Sequence, residues 1–341
     1  REHAQDRIPL LQVVLPLSSP QPSPIWPGLP FTSRNLLAPM EGVTDPVFRS
    51  LVLARQTPEV LGGTYTEFLR VLDRPRQPIE IERMLGPRTP GAPVGIQLMG
   101  ADLDALGGSA RNAVELGVPL IDLNFGCPAK GALRGCAGAA QLKDPAGLER
   151  VVASVVRAVD GAVPVTAKIR AGYDHADDVE DLARAVEAGG AAMLTVHART
   201  RAEGYSPGVD WTRIARAVSA VSIPVCGNGD VDTHAKLRTI RDETGCAFAM
   251  VGRGALGNPW IFSGESVSAT EQARFLSDYV DAMCREGAAI QGAAARVKQL
   301  IKHWTLGVLI PDEETRLELM REKDGEVLLT RIAGLVQLVR D

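Results

Sequence analysis

The chain has 341 residues, 45% of them hydrophobic and 23% charged, a balance that fits a folded globular protein and excludes an intrinsically disordered one. Its formal net charge of −4 excludes a uniformly basic fold, so any nucleic-acid contact has to come from a local patch. Five cysteines, at 127, 136, 226, 246 and 284, form no C-x-x-C pair and no zinc spacing, which argues against a disulfide framework or a metal site and for a reducing, cytoplasmic setting.

Residues 1–33 read as a Pro-rich leader. The stretch "SSPQPSPIWPGLP" cannot run as helix or strand and is expected to be extended. Before it, "RIPLLQVVLPL" carries two prolines and a glutamine and lacks a small-residue cleavage site, so secretion is not expected. No apolar run approaches the roughly 20 residues of a membrane span, and no membrane partner is expected.

From residue 35 one unit recurs: a short apolar run, a polar or glycine-rich loop, then an amphipathic helix. Leu148, Val151, Val152, Val155, Val156 and Val159 follow the i, i+3, i+4, i+7 spacing of one helix face. Asp144-Pro145 is a start signal for that helix and Asp160-Gly161 a stop. The alternation predicts strands near 35–40, 60–67, 93–99, 120–125, 164–170, 192–199, 223–228 and 247–252. Eight such strands predict a (β/α)8 TIM barrel over residues 34–264. A doubly wound sheet is the alternative, but no G-x-G-x-x-G follows the first strand.

Side-chain parity places chemistry inside this barrel. Alternate strand residues face the interior, so Thr166, Lys168 and Arg170 point in while Val165, Ala167 and Ile169 meet the helices. By the same rule Gln97, Asp122, Asn124, Thr195, His197, Arg199, Cys226 and Asn228 point inward. A single inward polar group can be an ordinary satisfied core residue. Several converging at the C-terminal strand ends, where barrel enzymes keep their chemistry, call for a ligand. After the seventh and eighth strands come "GNGD" and "VGRGALGNP". Gly229, Gly252 and Gly254 are either tight turns or a phosphate cradle completed by Arg253. A phosphate there, with Gln97, Lys168 and His197 at the mouth, leaves room for FMN. Gln97 would meet the pyrimidine edge and Lys168 the negative charge of a reduced ring.

Residues 265–341 predict a smaller all-helical unit, with Ser268 as its first N-cap. In "ARVKQLIKHW", Lys298 and Lys302 lie one turn apart beside Arg296, His303 and Trp304. The cluster is either a solvated helix face or an RNA contact, with Trp304 expected in the core.

The motifs "APMEGVTDPVFR", "QLMG", "DLNFGCPAK", "KIRAGYD", "VHARTR-x-x-GY", "GNGD" and "VGRGALGNPW" occur in that order. Together they resemble the tRNA-dihydrouridine synthases over about residues 34–341. "TEFLRV", "LNFGCPAK" and "ARVKQLIKHW" are most like the bacterial C-type branch. The resemblance implies an FMN barrel followed by a helical tRNA-binding domain. It also implies NADPH as transient reductant, tRNA as substrate, no obligatory protein partner, and uridine 16 of the D-loop as the favoured target. On this resemblance Ala38, Pro39 and Met40 lie against the flavin, and Gln97, Lys168 and His197 contact its ring. Asn228, Gly229, Asp230, Gly252 and Arg253 grip its phosphate. Asn124 orients the uracil, Cys127 is the catalytic acid, Arg170 lies on the substrate side, and Lys298 and Lys302 meet the RNA. Cys127, free of any special activation, would stay a protonated thiol, as an acid must. Cys136 is expected to be a small side chain filling a tight loop. In "RGCAG", Arg134 and Cys136 stand where the family often has smaller residues. Other readings are a flavin enzyme of a free pyrimidine such as dihydroorotate, a lyase with Lys168 as Schiff base, and a non-catalytic RNA-binding protein.

Overall fold

Eight short apolar runs become strands: β1 (Asn35–Leu37), β2 (Gly63–Arg70), β3 (Val94–Met99), β4 (Ile121–Phe125), β5 (Val165–Arg170), β6 (Met193–His197), β7 (Val225–Asn228) and β8 (Phe248–Val251). In the computed structural model, which describes residues 23–88, 92–129, 131 and 136–338, each pairs in parallel with the next. β1 also pairs with β8, so the sheet closes into a barrel. The register lines inward residues up in rows. Gln97 stands beside Asp122 and Asp122 beside Thr166. Asn124 stands beside Lys168, and Arg170, His197 and Asn228 form the row nearest the mouth.

The connecting helices are α1 (Pro46–Leu53), α2 (Pro78–Leu85), α3 (Leu103–Glu115), α4 (Pro145–Val159), α5 (Val179–Ala188), α6 (Thr212–Ala220), α7 (His234–Thr244) and the short α8 (Arg253–Gly257). Their ends follow local chemistry. Asp45 and Asp102 accept from the Phe48 and Ala105 amides at 2.9 and 2.8 Å, capping α1 and α3. α4 starts at Asp144-Pro145 and stops where Asp160 and Gly161 both turn left-handed, at φ 47° and 75°. Its Leu148, Val151, Val152, Val155 and Val159 are buried against the sheet, and Val156 is partly covered.

Inside the barrel Leu36, Tyr65, Leu120, Met193, Phe248 and Met250 form an apolar plug. Its lower end is closed by the segment expected to be an extended leader. Residues 1–22 lie outside the described residues, but 23–33 are folded. The Ile25 amide donates to the Phe31 carbonyl at 2.9 Å, Trp26 and Leu29 bridge, and Phe31 packs its ring on Tyr65 and Phe248. Leu29 and Phe31 are buried because the open barrel end offers their side chains an apolar site. β2 also starts three residues later than expected. Gly62 backs so closely on Ser33 that a Cβ there would fall 2.3 Å from the Ser33 carbonyl, so the chain packs on this floor segment before it joins the sheet.

Four helices follow: α9 (Ala269–Arg285), α10 (Ile290–Ile301), α11 (Glu313–Arg321) and α12 (Gly325–Leu338). Ser268 caps α9 through the Glu271 amide. Phe275 packs edge-on against Phe48 of α1 and against Trp260, with ring centroids 6.1 and 5.5 Å apart. Arg55 of the barrel pairs with Glu271 and Asp278 at 3.2 and 2.6 Å. Trp304 is buried, its indole donating to Gln272 Oε1 at 3.2 Å. The helices and the barrel's outer layer therefore share one continuous apolar core. No helix among the described residues is long and apolar enough to cross a membrane.

Candidate active site

The C-terminal ends of the strands open into a cavity of about 590 Å³. That is ample for a nucleotide-sized ligand. Ala38, Pro39 and Met40 form one wall after β1, and Asn124 and Cys127 another after β4. Lys168, Arg170 and His197 line the middle. Asn228, Gly229, Asp230, Gly252 and Arg253 line the end after β7 and β8. Thirteen expected site residues thus share one cavity.

Lys168 stands half-buried in the wall, its Nζ donating to Asn228 Oδ1 at 3.3 Å. Burial, helped by the Arg170 charge, lowers its pKa to about 8. Among the described residues no carboxylate forms a salt bridge with it, and the buried Asp122 opposes the shift only through its field, so the ammonium keeps its charge free for a partner in the cavity. His197 is driven well below its ordinary pKa by burial and by the cations Lys168, Arg170, Arg199 and Arg253, so it is a neutral imidazole at pH 7.

At the far end Asp230 sits at φ 50° and accepts Arg199 through both oxygens, at 3.0 and 2.5 Å, and Arg253 at 3.1 Å. Burial pulls the Asp230 carboxyl up, but the two guanidinium groups outweigh it and hold it below the ordinary carboxylate value. Asp230 thereby aims Arg253 rather than meeting an anion itself. Gly254 is forced by close packing, since a Cβ would lie 2.5 Å from the Val231 carbonyl. The donors fit a phosphate: Arg253 beside the backbone of Gly252, with the half-buried Lys168 farther along the same wall.

Cys127 is 8% exposed and faces the cavity. Burial raises its pKa and Glu41 adds to the effect, while the Ala129 amide and Arg170 act the other way, so the thiol keeps its proton at neutral pH. The turn carrying it is tied from three sides. Asn124 Oδ1 accepts from the Gly126 and Cys127 amides at 3.0 and 2.9 Å, an Asx turn. Arg170 Nε donates to the Gly126 carbonyl at 2.9 Å, and the Ala139 amide to that of Cys127 at 3.1 Å. Arg170 also holds the Thr200 and Gly204 carbonyls, so its guanidinium braces two loops.

Three expectations change. Gln97 is fully buried and off the cavity wall, because Asp122 takes its NH₂ from below and Asn124 covers its oxygen on the cavity side. Cys136 fills nothing: it is exposed, at φ 51°, on a turn whose next residue, Ala137, makes the contact with Cys127. Arg134 lies outside the described residues. Lys298 points its ammonium at the Glu322 carbonyl, tying α10 to the turn before α12, and Arg296 is spent on Asp45 and the Gly42 carbonyl. Of that basic cluster Lys302 alone stands exposed and away from these ties.

Sequence reasoning also missed part of the wall. Tyr205, 60% exposed, sits over the mouth with Arg170 and Arg253 at 5.3 and 4.9 Å from its ring centre. His303 and Thr305 reach the cavity from beyond α10, where the Thr305 amide donates to Gly257 at 3.0 Å. Tyr205 closes the "VHARTR-x-x-GY" motif and could have been found there. His303 and Thr305 carry no local signal, since only the packing of the helices on α8 brings them in.

The family model for dihydrouridine synthase (Dus) matches residues 36–306, a span that includes the barrel, α9, α10 and Thr305. A tRNA-dihydrouridine(16) synthase of Pseudomonas putida is 42% identical over 232 residues, covering 65% of this chain and 70% of that protein. A tRNA-dihydrouridine synthase B of Pseudomonas syringae pv. tomato is 36% identical over 314 residues, 87% of this chain and 90% of its own. Among solved structures, histamine dehydrogenase from Rhizobium sp. 4-9 shares the fold, with a TM-score of 0.54 at 14% identity over 83% of this chain and 51% of that one.

Proposed function

The chain belongs to the dihydrouridine synthase family, and on that premise we propose that it reduces a uridine of the tRNA D-loop to 5,6-dihydrouridine, with FMN as bound cofactor and NADPH as reductant. One observation carries the reading. A cationic wall built from Lys168 and Arg253 shares a single cavity with a buried, protonated thiol at Cys127. Lys168 would hold the pyrimidine edge of FMN, Ala38, Pro39 and Met40 would pack against its ring, and Arg253 with the Asn228–Gly229 and Gly252 backbone would hold its phosphate. Bound there and reduced by NADPH, FMN would supply a hydride to C6 of the uracil.

The chain's own residues supply the rest. Cys127 gives a proton to C5, and burial keeps it loaded until substrate arrives. Asn124 and Arg170 fix the turn that aims the thiol. Neutral His197 offers a hydrogen bond without adding charge beside Lys168. Tyr205 covers the mouth, where a flipped-out base would have to enter. Residues 34–264 would then be the catalytic domain and 265–341 the tRNA-binding domain, with Lys302 as its phosphate contact in place of Lys298.

Uridine 16 is the favoured position, because relatives named tRNA-dihydrouridine(16) synthase reach 42% identity. Mass mapping of dihydrouridine in tRNA from a gene-deletion strain tests the whole reading. Loss of the modification at position 16 is the expected result, loss elsewhere corrects the position, and no loss anywhere overturns the function. The purified protein should be yellow and release FMN on denaturation.

A further inference from the structure

Below the cavity an unbroken line of hydrogen bonds runs from the barrel interior to Cys127. Asp122 is buried in the deepest of the three inward rows, between Gln97 and Thr166. Its Oδ1 accepts from Thr166 Oγ1 at 2.6 Å and its Oδ2 from Gln97 Nε2 at 2.6 Å. Gln97 Oε1 accepts from Asn124 Nδ2 at 2.8 Å, and Asn124 Oδ1 accepts from the Gly126 and Cys127 amides. Each link has one permissible direction. Backbone N–H groups only donate, so Asn124 must show them its oxygen and turn its NH₂ toward Gln97. Gln97 must then offer its oxygen to Asn124 and its NH₂ downward. Only an acceptor at the foot of the line can take that NH₂. At neutral pH the Asp122 carboxyl is such an acceptor: burial raises it to about 6, against the Gln97 and Thr166 bonds and the Lys168 charge.

A carboxylate buried at 1% exposure is costly unless it does something for the fold or the site. Gln97 is itself fully buried and touches neither the cavity nor solvent, so its amide has no role at the wall to explain it. What the pair does accomplish is to hold both amides in one orientation with no freedom to flip. From these contacts we infer that Asp122 is a positioning residue for the turn that bears Cys127, acting through the side-chain amides of Gln97 and Asn124. The part this plays in catalysis rests on the reading of Cys127 as proton donor; the positioning itself does not.

The test therefore uses a readout independent of turnover. Iodoacetamide alkylation of Cys127, followed at the peptide level so that exposed Cys136 is counted separately, reports how firmly the turn holds the thiol in its pocket. Asp122→Leu keeps the volume and removes the acceptor, and Gln97→Leu cuts the line one link higher. Each is expected to speed Cys127 alkylation roughly tenfold, and the double variant no further, because both act on one line. Asp122→Asn, whose oxygen can still take the Gln97 NH₂ while its own NH₂ turns to Thr166, should stay close to the parent. A parent-like rate in Gln97→Leu, or effects that multiply in the double variant, overturns the inference; if Asp122→Leu does not fold, Gln97→Leu and Asp122→Asn decide it alone. In the tRNA assay Asp122→Leu should lower kcat with little change in KM for tRNA. A parent inactive on tRNA would sink the functional reading and leave the alkylation result standing.

Discussion

Cys127 and Lys168 show how one barrel mouth sets two side chains to opposite protonation tasks. For Cys127 burial favours the neutral thiol, the form a proton donor needs. Cys127→Ala is expected to slow reduction of tRNA uridine by the roughly 10²–10⁴-fold typical of a lost general acid. NADPH should still bleach the variant's visible absorbance, and Cys136→Ala, in an exposed side chain, should change neither rate much. Stopped-flow traces of the three proteins with unmodified tRNA check this, and a collapse confined to the Cys136 variant would move the proton donor from Cys127 to Cys136. For Lys168 burial works against the charged form, and the ammonium is lost as pH rises through about 8. Affinity for FMN is therefore expected to weaken across that pH, and Lys168→Met should bind weakly with no such dependence; fluorescence titration reads both. In the cofactor-free protein the sign for stability is opposite. The unfolded chain keeps the proton up to its ordinary 10.5, so folding stability should rise between about 8 and 10.5. At this scale inward parity was legible in the sequence, since Lys168, His197 and Asn228 all face the cavity as alternation requires. Parity says which face a residue takes and nothing of its depth, which is why Gln97 was assigned to the wall and lies behind it.

Strands and the long amphipathic helices were readable because their pattern is local: apolar spacing, an Asp before a helix, a glycine after it. The helix α10 was not. Its sequence reads as one basic patch, yet packing sends each charge elsewhere. Arg296 pairs with Asp45 at 2.8 Å, where Tyr279 also donates to Asp45 at 2.6 Å, and its other nitrogen reaches the Gly42 carbonyl. This fastens α9 and α10 to the loop of residues 40–45, whose Met40, Glu41 and Val43 form the cavity lip. Arg296→Met should cost about 1.5–3 kcal/mol, the range for a hydrogen bond to a charged group, read as a lower urea midpoint. It should also weaken FMN binding through the loosened lip, and a change in stability with FMN affinity untouched would show the lip to be held by other contacts. Lys302→Glu should weaken tRNA binding and reduce its salt slope by about 1, whereas Lys298→Glu should act mainly on stability by leaving the Glu322 carbonyl unpaired. Gel shifts across a salt series, beside melting curves, separate the two.

Taken whole, the molecule carries its helical unit on the same apolar core as the barrel. Trp260, Phe275 and Trp304 interlock across the boundary near residue 264, and His303 and Thr305 complete the cavity. A chain cut after Gly264 would expose this surface and lose part of the cavity wall. It is expected to aggregate or to bind no FMN, and the full chain to unfold in one transition by calorimetry. Two well-separated transitions would instead mean that the units fold apart. None of this coupling was visible in the sequence, because residues more than 200 positions apart, such as Asp45 and Tyr279, meet only in the folded chain. The floor of the barrel has a kinetic meaning as well. With Leu29 and Phe31 stopping the lower end, the cavity opens at the strand C-termini alone among the described residues. On the proposed reading, the reductant and the tRNA share that single doorway and must take turns. Initial-rate plots at several fixed tRNA concentrations should then be parallel lines, and excess tRNA should inhibit competitively against NADPH, the signature of a queue.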